Sequence, residues 1–175
     1  DRLLTNAQFS RREAEVNAGI PAARVQVVYH GLPDHFGPLP DRLRRKRRMA
    51  LTVGNVDLPN LLRKGHESFV RTAALLPAVE FVLAGAWKDS AIERLRGMAS
   101  ANVRFAGWRE DDSLRELFRD ARVYVQASAH EGFGLSVAEA MLAGCVPVVT
   151  RAGALPEVVG AAGLYVNSSA PADLA

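Results

Sequence analysis

Two glutamates, Glu131 and Glu139, stand eight positions apart in "HEGFGLSVAE" around a Gly-Phe-Gly insert. Carboxylates so placed admit several chemistries: a glycosidase acid pair, a metal site, a clamp for sugar hydroxyls, or two unrelated solvated charges. Paired catalytic carboxylates need about 5–5.5 Å or 6.5–9.5 Å between them. Eight residues of continuous helix separate Cα atoms by about 12 Å, so the spacing argues against a glycosidase. Gly132 and Gly134 let backbone N–H groups approach a ligand, and a helix entered near Leu135 turns its positive end toward an anion such as phosphate. Ser136 adds a hydroxyl in the first turn. Lys64, in "RKG" between a predicted strand and a predicted helix, is placed to reach the same phosphate. The four histidines, His30, His35, His66 and His130, show no ligand spacing, and no Asp-x-Asp element accompanies them, so no metal is expected. His130 reads as a loop histidine, and "EDD" at 110–112 as helix capping and dipole matching.

The elements that must position these residues alternate. Short runs rich in Val, Leu and Phe predict strands at "RVQVVYH", "RMALTV", "EFVLAG", "NVRFAG", "RVYVQAS", "CVPVVT" and "GLYV". Apolar residues three and four apart predict helices over 65–76, 89–98, 112–120 and 134–143. Strand and helix in alternation imply an α/β class, a Rossmann-like doubly wound parallel sheet with right-handed crossovers. Ligands in such sheets sit at the carboxyl ends of the strands. Glycines fall at four of those ends, in "VGN", "AGAW", "AGWRE" and "EGFG", which suggests an extended cleft. Neither a GxGxxG fingerprint nor a Walker A motif is present, which disfavours NAD and ATP-hydrolysing readings. Residues 1–22 read differently. "SRREAEVNAG" carries a capping-box pattern from Ser10 to Glu13 and stops at Gly19, so it predicts a helix with no strand before it, a connector to something else.

The net charge of +3 over 175 residues hides an uneven distribution. Six of the 22 basic residues lie in "RLRRKRR", 42–48; without them 16 Lys and Arg face 19 Asp and Glu. The run reads as a solvated loop or, more sharply, as a contact for an anionic membrane surface. Nucleic acid is not expected, because no aromatic residues interleave with the run. Cys145, the single cysteine, cannot form an intramolecular disulfide and reads as a buried thiol suited to a reducing, cytoplasmic setting. No apolar run reaches the 18 or so residues of a membrane helix.

"VGNVDLPNLLRKG", "EFVLAG", "NVRFAGW", "RVYVQASAHEGFGLSVAEAMLAGCVPVVTRAGALPEVVG" and "GLYV" occur in the order seen in GT-B glycosyltransferases of family GT4. The chain resembles their C-terminal, donor-binding domain from about residue 24. That resemblance implies a connector at 1–22, a nucleotide-sugar-binding domain at 23–175, and a missing N-terminal acceptor domain as partner. It implies a retaining enzyme that uses a nucleotide-diphosphate sugar and requires no metal or other cofactor. Carried over position by position, Glu131 would contact sugar hydroxyls and Glu139 the ribose, and Gly132, Phe133, Gly134, Leu135 and Ser136 would cradle sugar and diphosphate. Lys64 would neutralise the leaving group, and Gly54, Gly85, Gly107, Trp108 and Arg109 would surround the nucleotide. Asn55 stands where many members carry arginine, and Arg63 is the expected substitute for that charge. Polysaccharide, lipopolysaccharide or glycolipid synthesis is the implied setting, at the inner membrane face if the basic run binds lipid. The alternative is a non-catalytic nucleotide-sugar binding module. A phosphorylase-like enzyme would want a lysine for pyridoxal phosphate, and Lys46, Lys64 and Lys88 lie in no such context.

Overall fold

A computed structural model describes residues 2–175. The chain begins with β1 (Leu3–Thr5), α1 (Gln8–Ala18) and β2 (Val25–Val27), then α2 (Leu39–Arg44) and β3 (Arg47–Val53). It continues through α3 (Leu58–Arg63), α4 (His66–Thr72), β4 (Glu80–Ala84), α5 (Ala91–Met98), β5 (Val103–Gly107) and α6 (Asp111–Asp120). β6 (Ala121–Gln126), α7 (Leu135–Leu142), β7 (Val146–Thr150), α8 (Leu155–Val159), β8 (Leu164–Val166) and α9 (Pro171–Leu174) complete it. Six strands form one parallel sheet in the order β5-β4-β3-β6-β7-β8. The expected α/β, doubly wound architecture is therefore present.

Successive residues of a strand face opposite sides, and the sequence supplies apolar side chains for both. Leu51 and Tyr124 pack on one face with Phe118, Val137 and Leu155. Ala50 and Val125 pack on the other with Phe69, Phe81 and Leu95. Covered on both faces, the strands read as the continuous apolar runs seen in the sequence. The strand order reverses direction between β3 and β6, and this switch point opens a crevice at their carboxyl ends.

The first 28 residues depart from expectation. Leu3–Thr5 is a strand before the helix, and it pairs in parallel with Val25–Val27 in a separate two-stranded sheet. The run "RVQVVYH" thus contributes three strand residues, none of them to the large sheet. The capping box is not used. α1 starts at Gln8, ahead of Ser10, and Glu157 from α8 accepts from the N–H groups of Gln8 (2.8 Å) and Phe9 (2.5 Å). Glu13 contacts His130 Nε2 instead, at 2.9 Å. A long-range carboxylate replaced the local cap, which no spacing rule could reveal. Gly19 ends the helix as expected, with φ 63°.

The basic run is neither a loop nor a free patch. It closes α2 and opens β3, and four of its six charges, Arg44 with Asp41 at 3.6 Å among them, meet acids of the same chain. Arg42 pairs with Asp34 at 2.6 Å, Arg45 with Glu116 at 2.6 Å, and Arg47 with Glu80 at 3.1 Å and Asp120 at 3.4 Å. Lys46 donates to the Phe118 carbonyl at 2.9 Å and lies 3.5 Å from Cys145 Sγ. Cys145 is buried and donates to carbonyls of Phe118 and Ala121, a packing role. Among the described residues no helix is long and apolar enough to cross a membrane.

Candidate functional site

The site forms where loops leave β3 and β6 on either side of the switch point. Asp57 caps α3 by accepting from the Asn60 N–H at 2.8 Å, and α3 ends at Lys64. The next loop is tied to the β6 side by an Ala129 N–H bond to the Arg63 carbonyl, 2.8 Å. Lys64 Nζ thereby reaches Glu131 Oε2 at 2.5 Å. Their side chains are 20% and 12% exposed, so the pair is mostly sheltered yet open to a ligand. Glu131 is held from behind as well. Ala154 donates to its carbonyl at 2.8 Å, and Gly153 at φ 60° lets the two backbones approach. A Cβ at Gly153 would sit 2.1 Å from the Glu131 carbonyl oxygen.

Lys64, Glu131, Gly132, Phe133, Gly134, Leu135 and Ser136, seven of the expected residues, line a single cavity of about 330 Å³. α7 begins there, and its first N–H groups have no intrahelical partner. An ammonium, a carboxylate and a free helix N-terminus thus converge on one space. That combination suits a ligand carrying both hydroxyls and an anion. Gln126 at the end of β6 also lines it, and Asn6 and His30 join the wall from the first segment, 3.1 Å apart through Asn6 Nδ2 and His30 Nε2. Sequence reasoning missed both, because their proximity depends on how α1 docks.

Glu139, a turn deeper in α7, lines a second cavity of about 180 Å³ with Asp111, Arg115 and His35. Burial, and then the nearby Asp111, push its carboxyl above the usual carboxylate range. The two glutamates therefore line separate cavities. Glu110 sits at the N-cap of α6 without a side-chain cap bond, which corrects the capping part of the "EDD" expectation.

The glycines at the other strand ends answer a packing need first. A Cβ on Gly85, at φ 151°, would lie 1.9 Å from the Gly54 carbonyl oxygen. Gly54 donates to the Ala84 carbonyl and Gly85 to that of Gly107, both at 2.9 Å, so these residues extend the ladder at the sheet edge. Asn55 uses its carbonyl to accept from Asn60 Nδ2 at 3.1 Å and to meet His66 Nε2 at 3.2 Å. Burial pushes His66 down to about 4, so its ring is neutral near pH 7. Trp108 is 66% exposed beyond β5, and neither it, Gly107 nor Arg109 lines the Lys64–Glu131 cavity. Arg63 does not line it either. Its guanidinium donates to Asn60 Oδ1 at 2.5 Å, so the expected substitution for a missing arginine at position 55 is not what this geometry provides.

The family described as glycosyl transferases group 1 matches residues 47–175. O-antigen chain mannosyltransferase B of Escherichia coli is 36% identical over 183 residues, which cover 94% of this chain and 47% of that protein. D-inositol 3-phosphate glycosyltransferase of Mycobacterium tuberculosis (strain ATCC 25177 / H37Ra) is 30% identical over 172 residues, covering 91% of this chain and 36% of that one. The chain thus spans half or less of the length of these curated relatives. The crystal structure of Anabaena Alr3699/HepE in complex with UDP and glucose superposes with a TM-score of 0.82 at 22% identity, over 99% of this chain and 51% of that one. At that identity the likeness speaks to the fold.

Proposed function

The chain belongs to the glycosyl transferases group 1, with the fold of the C-terminal domain of a GT-B glycosyltransferase, and from that premise we propose that it binds a nucleotide-diphosphate sugar and serves as the donor half of a hexosyl transfer. One observation carries the reading: the Lys64 ammonium and the Glu131 carboxylate meet over the open N-terminus of α7, at the switch point of the sheet. Glu131 accepts from sugar hydroxyls, and the diphosphate lies on the N–H groups of Leu135 and Ser136. As the anomeric C–O bond breaks, negative charge grows on the diphosphate. The helix end, already in place, and Lys64, turning from Glu131, stabilise that charge. Glu139 accepts from the ribose in the second cavity, and Gly54, Gly85, Gly107, Trp108 and Arg109 lie toward the base.

Transfer with retention of configuration, without a metal or other cofactor, is part of the same proposal. The division into a connector at 1–22 and a donor domain at 23–175 is too. The acceptor, in polysaccharide, lipopolysaccharide or glycolipid synthesis, would bind a second domain, so the 175 residues alone bind donor and transfer little. By name the relatives are an O-antigen chain mannosyltransferase and a D-inositol 3-phosphate glycosyltransferase, and the neighbour holds UDP and glucose, which supports an enzyme of nucleotide-sugar chemistry; a cytoplasmic location belongs to the same proposal. With four of its six charges paired to acids of the same chain, the 42–48 run offers an anionic membrane less charge than its sequence suggests. Co-sedimentation with liposomes is therefore expected to be independent of anionic lipid content. Calorimetric titration with UDP-, GDP- and ADP-sugars tests the central reading. Saturable binding of one nucleotide family is the expected result, and no binding of any at millimolar concentration would end it.

A further inference from the structure

The face of β6 that looks onto the core around Phe118 and Val137 carries Tyr124 and Gln126, and Ser128 follows two residues past the strand's end, three polar side chains at alternate positions. They are 0%, 3% and 0% exposed. Polar groups so deep are costly unless each is bonded, and here the bonds form one directed chain. The Val53 N–H donates to the Tyr124 hydroxyl at 3.3 Å, and that hydroxyl donates to Gln126 Oε1 at 3.0 Å. Gln126 Nε2 spends its two hydrogens on Ser128 Oγ at 2.7 Å and on Glu131 Oε2 at 3.1 Å. The amide cannot turn over, because its carbonyl would then face the Glu131 carboxylate. Both donors to Glu131, Lys64 and Gln126, use Oε2, and among the described residues no donor reaches Oε1.

We infer that Gln126, locked by Tyr124, is a positioning and specificity-determining residue that fixes the plane of the Glu131 carboxylate and so decides which sugar hydroxyls Oε1 can accept. The inference rests on the proposed nucleotide-sugar site. When Lys64 turns to a diphosphate, Gln126 remains as the protein donor on Oε2. The carboxylate then keeps its orientation while the ion pair opens. A carboxylate on a flexible side chain without that second donor would rotate and accept from several epimers alike.

The test titrates the chain with UDP-glucose, UDP-galactose, GDP-mannose, ADP-glucose and the free diphosphates UDP, GDP and ADP, and follows the Gln126 side-chain amide by NMR. Gln126→Met, close in volume but without the donor, is expected to weaken the preferred sugar nucleotide about tenfold, as for a lost bond to a charged group. The matching free diphosphate should change by less than about twofold, within the scatter of a remote substitution, and discrimination between glucose and galactose should narrow. Tyr124→Phe, which frees the amide to rotate, should do the same by about threefold and shift the Gln126 amide resonances. Should Gln126→Met fail to fold, Tyr124→Phe decides alone. Equal losses for sugar nucleotides and free diphosphates would overturn the inference, as would unchanged epimer discrimination in folded variants. Sugar selectivity lost in Glu131→Ala but kept in both variants would overturn it while leaving the site reading intact. A wild-type chain that binds no sugar nucleotide would overturn both.

Discussion

Around Glu131 the protein supplies donors: Lys64 and Gln126 both bond its carboxylate, which is 12% exposed. Glu139, a turn deeper in the following helix, is bonded by no side chain among the described residues, although Arg115 and His35 line its cavity, and Asp111 adds a like charge. One carboxylate is oriented by the protein before any ligand arrives, whereas the other waits for donors from outside. An oriented carboxylate discriminates among hydroxyl geometries. A carboxylate short of donors gains from any diol that supplies them. The contrast fits a sugar at Glu131, where configuration matters, and a ribose at Glu139, which every nucleotide shares.

Removing the charge common to all donors should have the largest effect. Lys64→Ala is expected to weaken nucleoside diphosphates and sugar nucleotides together by about 100-fold, since a charge-assisted contact of up to ~3 kcal/mol is lost. Titration calorimetry reads both ligands. If diphosphates bound Lys64→Ala as they bind wild type, Lys64 would serve only to orient Glu131. The two glutamates then separate the halves of the cleft. Glu139→Ala should weaken the free nucleotide about tenfold, and Glu131→Ala should spare it while weakening the sugar-bearing donor by a similar factor. Equal losses of nucleotide affinity in both variants would erase the distinction.

Much of this was legible in the residues. Continuous apolar runs announced a sheet covered on both faces, and glycines after strands marked its carboxyl edge. Seven expected site residues, from Lys64 to Ser136, share one cavity because strand, turn and helix start are all local features. What escaped was set by partners far along the chain. Glu157 caps α1 across 148 residues, so the Ser10–Glu13 pattern misled. The basic run looked like a patch because Glu80, Glu116 and Asp120, which neutralise it, lie well beyond it in sequence. Gln126 left a faint trace: Tyr124, Gln126 and Ser128 alternate with Val125 and Ala127, which marks one polar face along a buried strand and the loop that leaves it. Burial was needed to show that the face is dry.

Smaller effects follow from the pH dependence of Glu139. Its carboxyl holds a proton to higher pH in the folded chain than in the unfolded one, by burial first and Asp111 second. Folding therefore takes up a proton just above the ordinary carboxylate range, and stability falls as pH rises through that window. At pH 7 the ionised side chain opposes folding. Glu139→Gln should raise the thermal midpoint by about 2 °C at pH 7 and by less at about pH 3, below the ordinary carboxylate range. A larger gain at the acid pH would show that the carboxylate is stabilised by a donor in the folded chain, which would make the two halves of the cleft alike.

The smallest effect is expected at Arg63, next to the lysine with the largest. Proximity in sequence made Arg63 the natural substitute for the charge absent at Asn55. However, α3 ends at Lys64, and the preceding position turns the guanidinium back along the helix onto Asn60 Oδ1, 2.5 Å away. Asn60 in turn bonds the Asn55 carbonyl at 3.1 Å, so Arg63 supports the loop without reaching the cavity. Arg63→Ala should change diphosphate affinity by less than about twofold, within the scatter of an exposed substitution. A loss approaching that of Lys64→Ala would mean that the guanidinium leaves Asn60 when donor binds. The charge at the sugar end of the cleft would then be assembled by the ligand, and the contrast between a prepared and an unprepared carboxylate would apply only to the free chain.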